Sequence, residues 1–437
     1  MKKLFIFLIT ILIAFSSCKK NDTPGPAGGP TPEMARDSLY LLLNQWYYWY
    51  SNMPAVNKDN YSDPYTLMEA MRYRPVDKWS FVEDYDKFLA EMLGTFVGHG
   101  FRLSYDIEDR TARVAMIYSG SPLYANGVRR GWIVKTINGN NMAPILASGD
   151  QTAYDNALGP SEAGVTNIFV FKKPDGTETT ISSTKSTFTL NSVILYDTLH
   201  LTSGITGHLV FDQFITPSAQ ELATAFAWFR QCNVTDLILD LRYNSGGYLD
   251  IAQDLASYIA GNTLASNHSV FAKLEYNDKN QDQNYSYLFQ SSSSSLSLPR
   301  VVVITSRLTA SASEAVMNGL KPFVNVVGVG DTTYGKPVGM NGWPIGEKYF
   351  FWPITFKMVN AVNEGDYYAG FAPEKYADDD VSHDFDDRRE LCLNESIHYL
   401  ESGGFTAKRA GEFHRNPVFS EKPAWMTNGF SIDKPHK

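Results

Sequence analysis

Hydrophobic positions along the 437-residue chain change their period from one stretch to the next, and each change marks a different kind of element. From Met34, "MARDSLYLLLNQWYYWY" puts Leu39, Leu42, Leu43, Trp46 and Tyr47 on one face of a helix. A second helical segment, "DPYTLMEAMRY", opens with Asp63 as a cap and Pro64 in the first turn. Together they predict a small helical N-terminal domain over residues 34–93. Residues 94–186 read instead as short strands with turn chemistry between them: "GHGFRLSYD", "ARVAMIY", "GWIVKTING" and "TNIFVFKKPDGTETTIS", with a loop and short helix over 119–127. From 187 to 405 strands alternate with helices. "SAQELATAFAWFRQC" is a helix striped by Leu222, Ala225, Phe226 and Phe229, and "TDLILDLR" is a strand too apolar to face water on either side, as inside a mostly parallel sheet. "GHLVFDQF", "RVVVIT", "NVVGVG" and "EKYFFWPITFKMV" are further strands, and "YLDIAQDLASYIAG" another helix. The pattern predicts a multidomain protein: a helical N-terminal domain, a β-rich domain, an α/β domain of βαβ units, and a C-terminal tail over 406–437.

Ahead of these lies a targeting segment. "MKK" is a positive start, "LFIFLITILIAF" an apolar centre too short to span a bilayer comfortably, and small residues lead into Cys18. This resembles a bacterial lipoprotein signal over 1–18, with Cys18 as the lipidated first residue, so the expected location is the cell envelope, anchored to a membrane and facing periplasm or exterior. Residues 19–33, rich in Pro and Gly, read as a tether. Only Cys232 and Cys392 then remain, too few for a disulfide framework or a metal site; they either pair or stay free. The net charge of −9, with no basic block, gives no support to a nucleic-acid partner.

The candidate chemistry begins at "TSRLTASASEAV", 305–316, where a cluster of hydroxyls follows the apolar strand "VVVIT". Ser311 falls at a helix N-terminus, where unpaired amides and the helix dipole favour an oxyanion. Equally, Ser311 or Ser313 caps the helix, with Glu314 completing a capping box with Ser311. On this segment alone both readings stand, and caps are the commoner. In "VGVGDTTYGKPVG", Lys336 is held by a Gly-rich turn at the end of an apolar strand. A lysine becomes a base near neutral pH only if its pKa falls from about 10.4 to about 7, which takes on the order of 4–5 kcal/mol of burial and neighbouring dipoles. "LILDLRYNSGG" ends a strand in Gly246 and Gly247, either of whose amides could serve an oxyanion beside that of Ala312.

Taken together, "LILDLRYNSGGYLD", "TASASEA" and "TTYGK", in that order, resemble the C-terminal processing (tail-specific) serine proteases. The resemblance implies a crotonase/Clp-protease-like ββα catalytic domain, Ser311 as nucleophile, Lys336 as base, and no cofactor or metal. It also implies a PDZ domain over 94–186, in which the backbone of Gly98, His99, Gly100 and Phe101 holds a peptide's terminal carboxylate. "GSPLYANGVRRGWIVKTINGNNM" is similar to that domain's core. The expected partners are unfolded or C-terminally exposed polypeptides and, through the lipid anchor, a membrane. One departure stands out: the family's glutamine four residues after the lysine is Met340 here, which cannot orient an amine by hydrogen bonding.

Competing features carry less. His99 and His208 are flanked by glycine, and His99 reads as a loop residue tuning peptide binding; nothing in the sequence brings either to Ser311. "SSTK", 182–185, lacks the motifs that accompany Ser-x-x-Lys enzymes. The polar stretch 277–299 lacks the glycine and glutamate of a calcium loop and reads as a solvated loop; the acidic run at 378–387 reads as a solvated face. The alternative to a protease is a catalytically inactive, lipid-anchored peptide- or glycan-binding protein on the same fold, to which Met340 lends substance.

Overall fold

The computed structural model describes residues 29–407, 413–421 and 430–433. The expected leader, Cys18 and most of the tether lie outside the described residues. Helix Pro32–Trp46 begins as its sequence dictates, with Thr31 accepting from the Met34 amide at 3.3 Å, and buries Ala35, Leu39 and Leu43. Helix Pro64–Met71 starts at Asp63, whose carboxylate accepts from Thr66 N at 2.8 Å. The polar stretch after residue 276 is not merely a solvated loop. Asn277 donates to the carbonyls of Gln45 and Tyr47 at 3.1 and 3.0 Å, and Asn280 to Gln45 O at 2.8 Å. These amides satisfy carbonyls left over at the end of the first helix, which is why both asparagines are buried.

The N-terminal helices do not pack only on each other. Strand Phe81–Asp84 pairs antiparallel with Tyr349–Trp352, which also pairs with Trp343–Ile345. Phe88 and Trp352 meet at 4.6 Å between ring centroids, and one apolar core joins Leu39, Leu43 and Tyr47 to Phe351, Trp352 and Ile354. "EKYFFWPITFKMV" therefore supplies two strands. Pro353, with no N–H to give a ladder, separates Tyr349–Trp352 from Ile354–Val359, and the two enter different sheets.

The β-rich unit is an antiparallel sheet in the order Phe101–Asp106, Thr111–Ile117, Ile133–Ile137, Thr166–Lys172, Glu178–Thr184. Phe101, Leu103, Val114, Phe169 and Phe171 form its core, together with Leu146 and Tyr154 from two short helices. Its outer edge, along Phe101–Asp106, is covered by strand Val418–Ser420 from the far end of the chain.

In the α/β unit the sheet order is Val193–Leu201, Gly204–Phe211, Asp236–Asp240, Arg300–Thr305, Asn325–Gly330, Lys375–Tyr376. All neighbours are parallel except the first pair. Leu237 and Leu239 face helices Ser218–Gln231 and Leu249–Ala260, while Ile238 faces helix Leu391–Ser402, so this strand is buried on both sides as its composition requires. A second, mixed sheet contains Gly246–Tyr248, Phe430–Ile432, Val338–Met340, Ile354–Val359, Val270–Tyr276 and Tyr285–Leu288.

The acidic run at 378–387 also departs from the expected solvated face. Asp379 turns inward to Arg130 of the β-rich unit (2.9 Å) and Arg242 of the α/β unit (2.8 Å). Burial opposes its charge, but the two arginines outweigh it and hold Asp379 at about 2. Arg242 is itself buried and pairs with Asp240 at 2.8 Å and Glu390 at 2.7 Å. Glu390→Ala leaves Arg242 short of a partner in a dry site, and is expected to cost about 3–5 kcal/mol in urea unfolding. A loss within about 0.5 kcal/mol would show that the network is not buried in solution.

Candidate active site

Strands Arg300–Thr305 and Asn325–Gly330 run parallel with Thr305 beside Gly330, so the segments leading to Ser311 and to Lys336 leave the sheet side by side. Most of the hydroxyls in 305–313 hold this exit in shape. Thr305 Oγ1 donates to Asp331 O (2.6 Å), Thr309 Oγ1 to Leu241 O (2.8 Å) and Ser313 Oγ to Asn244 O (3.0 Å). Ser311 differs. It precedes helix Ala312–Leu320 with φ +63° and ψ −112°, whereas an ordinary capping serine has an extended backbone. Such a conformation costs on the order of 1–3 kcal/mol and clusters at functional turns.

Glu314 joins the two segments. Its Oε2 accepts from the amides of Ser311 (2.9 Å) and Lys336 (2.8 Å), and its Oε1 from Gly335 N (2.7 Å) and Thr333 Oγ1 (2.5 Å). Burial raises the carboxyl's pKa, and these four bonds oppose the rise. The capping-box spacing found the link to Ser311; the link to the lysine turn spans two elements and has no local signal. Gly335 has φ +91°, and a Cβ there would lie 2.3 Å from Tyr368 O, so only glycine lets the turn close.

Lys336 is fully buried. Burial brings its pKa down to about 7 although Asp77 and Glu314 pull the other way. Its Nζ lies 5.8 Å from the centroid of the Trp79 ring. Asp77 is fixed by Tyr47 OH (2.7 Å) and by the amides of Trp79 (2.9 Å) and Ser80 (3.0 Å). Thus the N-terminal unit builds part of the lysine's surroundings, which the sequence reading missed. Met340 does not contact the lysine through a polar group; it packs in the same apolar core as Trp79, Phe351 and Ile354.

Of the two expected glycine amides, that of Gly246 donates to Asn244 Oδ1 at 2.9 Å and is already engaged. Gly246 O and Tyr248 N bond to Phe214 at 3.0 and 2.9 Å, so strand alternation turns the N–H of Gly247 to the opposite edge. A Cβ on Gly247 would lie 2.0 Å from Phe214 O, which explains the glycine. Ala312 N belongs to the first turn of its helix, whose amides have no partner within the helix.

The other singled-out residues lie elsewhere. The His99 ring is buried between Ser183 (3.0 Å) and Asn167 (2.7 Å), and burial lowers its pKa to about 4. The backbone there meets Glu421 instead: His99 N and Gly100 N each donate to its Oε2 at 3.0 Å, with Gly98 and Phe101 on either side. His208 is buried on strand Gly204–Phe211. Lys185 of "SSTK" donates to the carbonyls of Gly159 and Pro160. Cys232 and Cys392 are both free thiols. Among the described residues no group of three or more His, Cys, Asp or Glu side chains is placed to hold a metal ion.

Residues 205–362 match the model of peptidase family S41, and residues 35–81 that of the peptidase S41 N-terminal domain. A carboxyl-terminal-processing protease of Picosynechococcus sp. is 26% identical over 276 residues, 63% of this chain and 60% of its own length. The carboxy-terminal processing protease CtpB of Bacillus subtilis is 23% identical over 141 residues, 32% of this chain and 27% of its own length. The chain thus spans at most about three fifths of these two relatives. In fold, the chain is similar to a Bacteroides fragilis crystal structure assigned to the S41 proteases (TM-score 0.66, 23% identity, 83% of this chain and 96% of that one). It also resembles the photosystem II D1 C-terminal processing protease (TM-score 0.50, 17% identity, 83% and 96%).

Two measurements follow from the geometry. In NMR of side-chain-labelled lysine, the Lys336 Cε resonance is expected to titrate with a midpoint near 7, far below the ordinary lysine value of about 10.4; a midpoint above 9 would place the amine in water. Glu314→Ala removes the acceptor of three buried amides, each worth about 1–3 kcal/mol, so urea unfolding should show a loss of at least about 3 kcal/mol. Glu314→Gln keeps one oxygen and should lose less.

Proposed function

We propose that the protein is a serine endopeptidase of the C-terminal processing type, with Ser311 as nucleophile and Lys336 as general base. The observation that carries this reading is the Glu314 carboxylate, one oxygen of which accepts from the amides of both residues. The base needs to be neutral, and burial brings Lys336 to about 7. Neutral Lys336 takes the hydroxyl proton as Ser311 Oγ attacks a peptide carbonyl, and the developing oxyanion is received by the amide of Ala312 and by that of Gly247 once strand Phe430–Ile432 yields its edge. Gly246, whose amide is engaged by Asn244, holds the turn instead. The lysine's proton then goes to the leaving amine, and water releases the acyl group from Ser311. Trp79 and the Asp77 loop take over the positioning that the missing glutamine would supply at 340.

In the same reading the β-rich unit is a PDZ domain, and its 98–101 turn captures the carboxylate of an unfolded or C-terminally exposed polypeptide. Cys18 carries lipid and anchors the protein in the cell envelope, facing periplasm or exterior.

Cleavage of an unfolded protein with an apolar C-terminus, followed by intact mass, tests the dyad. Ser311→Ala and Lys336→Ala should each lower kcat/KM by about a thousandfold or more. In the parent, kcat/KM should rise with pH through a limb near 7, because only the deprotonated lysine accepts the serine proton; below it the rate falls about tenfold per pH unit. Activity retained in Lys336→Ala would remove the lysine from the mechanism. Substrate binding without cleavage in the parent would favour the binding-protein reading that Met340 suggests.

A further inference from the structure

The segment near the C-terminus is laid over the molecule as a peptide ligand would be. Arg415 pairs with Asp331 at 2.5 and 3.0 Å, and Asn416 Nδ2 donates to Asp379 O at 3.1 Å, which fixes the start of the segment on the α/β unit. Tyr105 N then donates to Pro417 O at 3.0 Å, and Val418, Phe419 and Ser420 pair antiparallel with Ser104, Leu103 and Arg102. This is strand addition to an otherwise open sheet edge. Phe419, 4% exposed, enters the core of the β-rich unit and meets the Tyr154 ring at 5.4 Å. Glu421 then places its side-chain carboxylate on the successive amides of His99 and Gly100. Strand Phe430–Ile432 lies parallel on Gly246–Tyr248 along the edge to which Gly247 N–H turns, and reaches Met340 on its other side.

We propose that the groove formed by residues 98–101 and strand Phe101–Asp106 is a peptide-binding site whose resident ligand is the chain's own segment 418–421, with the Glu421 side chain standing where an incoming polypeptide's terminal carboxylate binds. The proposal rests on the peptide-capture reading of the β-rich unit given above. The ligand class is an extended peptide carrying a large apolar side chain shortly before a carboxylate. An internal ligand competes at millimolar effective concentration, so an incoming chain must displace it.

The test uses the full chain, Glu421→Gln, and the double variant Phe419→Ala/Glu421→Ala, titrated with a fluorescein-labelled peptide of the sequence 413–421. The double variant is expected to bind the peptide at least tenfold more tightly than the parent, with Glu421→Gln between them. Amide exchange at 101–106 should quicken in the double variant while helix Ala312–Leu320 stays protected, which shows that the protein is folded. Equal, measurable binding to all three proteins overturns the resident-ligand proposal and leaves the groove reading standing. Binding to none of them overturns the groove reading and the proposal with it. Unchanged exchange at 101–106 in the double variant also overturns the proposal.

Discussion

A carboxylate taken out of water needs donors on every side, and Glu314 finds them only when two separate turns are in place. The amides of Ser311, Gly335 and Lys336 and the hydroxyl of Thr333 all converge on it. The parallel pairing of Arg300–Thr305 with Asn325–Gly330 delivers both turns to one edge of the sheet, and the carboxylate then ties them together. The same group that looks like half of a helix cap thus joins the turn of Ser311 to the turn of Lys336. The cap bond to Ser311 and the bonds to the lysine turn belong to one carboxylate, so the cap is part of how the two turns are held together.

The lysine's environment comes from further away. Trp79 and Asp77 belong to the N-terminal unit, whose strand Phe81–Asp84 is fastened to a hairpin beyond residue 340. Aromatic packing on that hairpin brings the unit over the site, so its contribution is a wall for the amine as well as stability. The β-rich unit is tied in by charge: Arg130 and Arg242 share Asp379, and Arg102 meets Asp212 at 3.1 Å across the same boundary. Buried pairs of this kind add little net stability over apolar packing, yet each fixes where two units meet.

Edges are the other recurring constraint. The outer edge of Phe101–Asp106 and the Gly247 edge both carry backbone groups that call for a partner strand, and the strands Val418–Ser420 and Phe430–Ile432 cover them. An incoming polypeptide of extended form would meet the same two edges.

Much of this was legible from residue order alone. Helical and strand periods marked many of the elements, the two-faced burial of Asp236–Asp240 followed from its unbroken apolar run, and the motifs around Ser311 and Lys336 could be picked out because their chemistry is local. What stayed hidden depends on contacts between distant segments: Asp77 and Trp79 beside a lysine more than 250 residues away, Asp379 drawn out of an acidic run by two arginines, and Gly246 N spent on Asn244 while Gly247 N turns to strand Phe430–Ile432. Periodicity and capping act over a few residues, so the sequence by itself determined the elements and the candidate nucleophile and base. Burial, the fall of the lysine's pKa and the seating of Glu421 are properties of packed surroundings, and only the tertiary structure decided them.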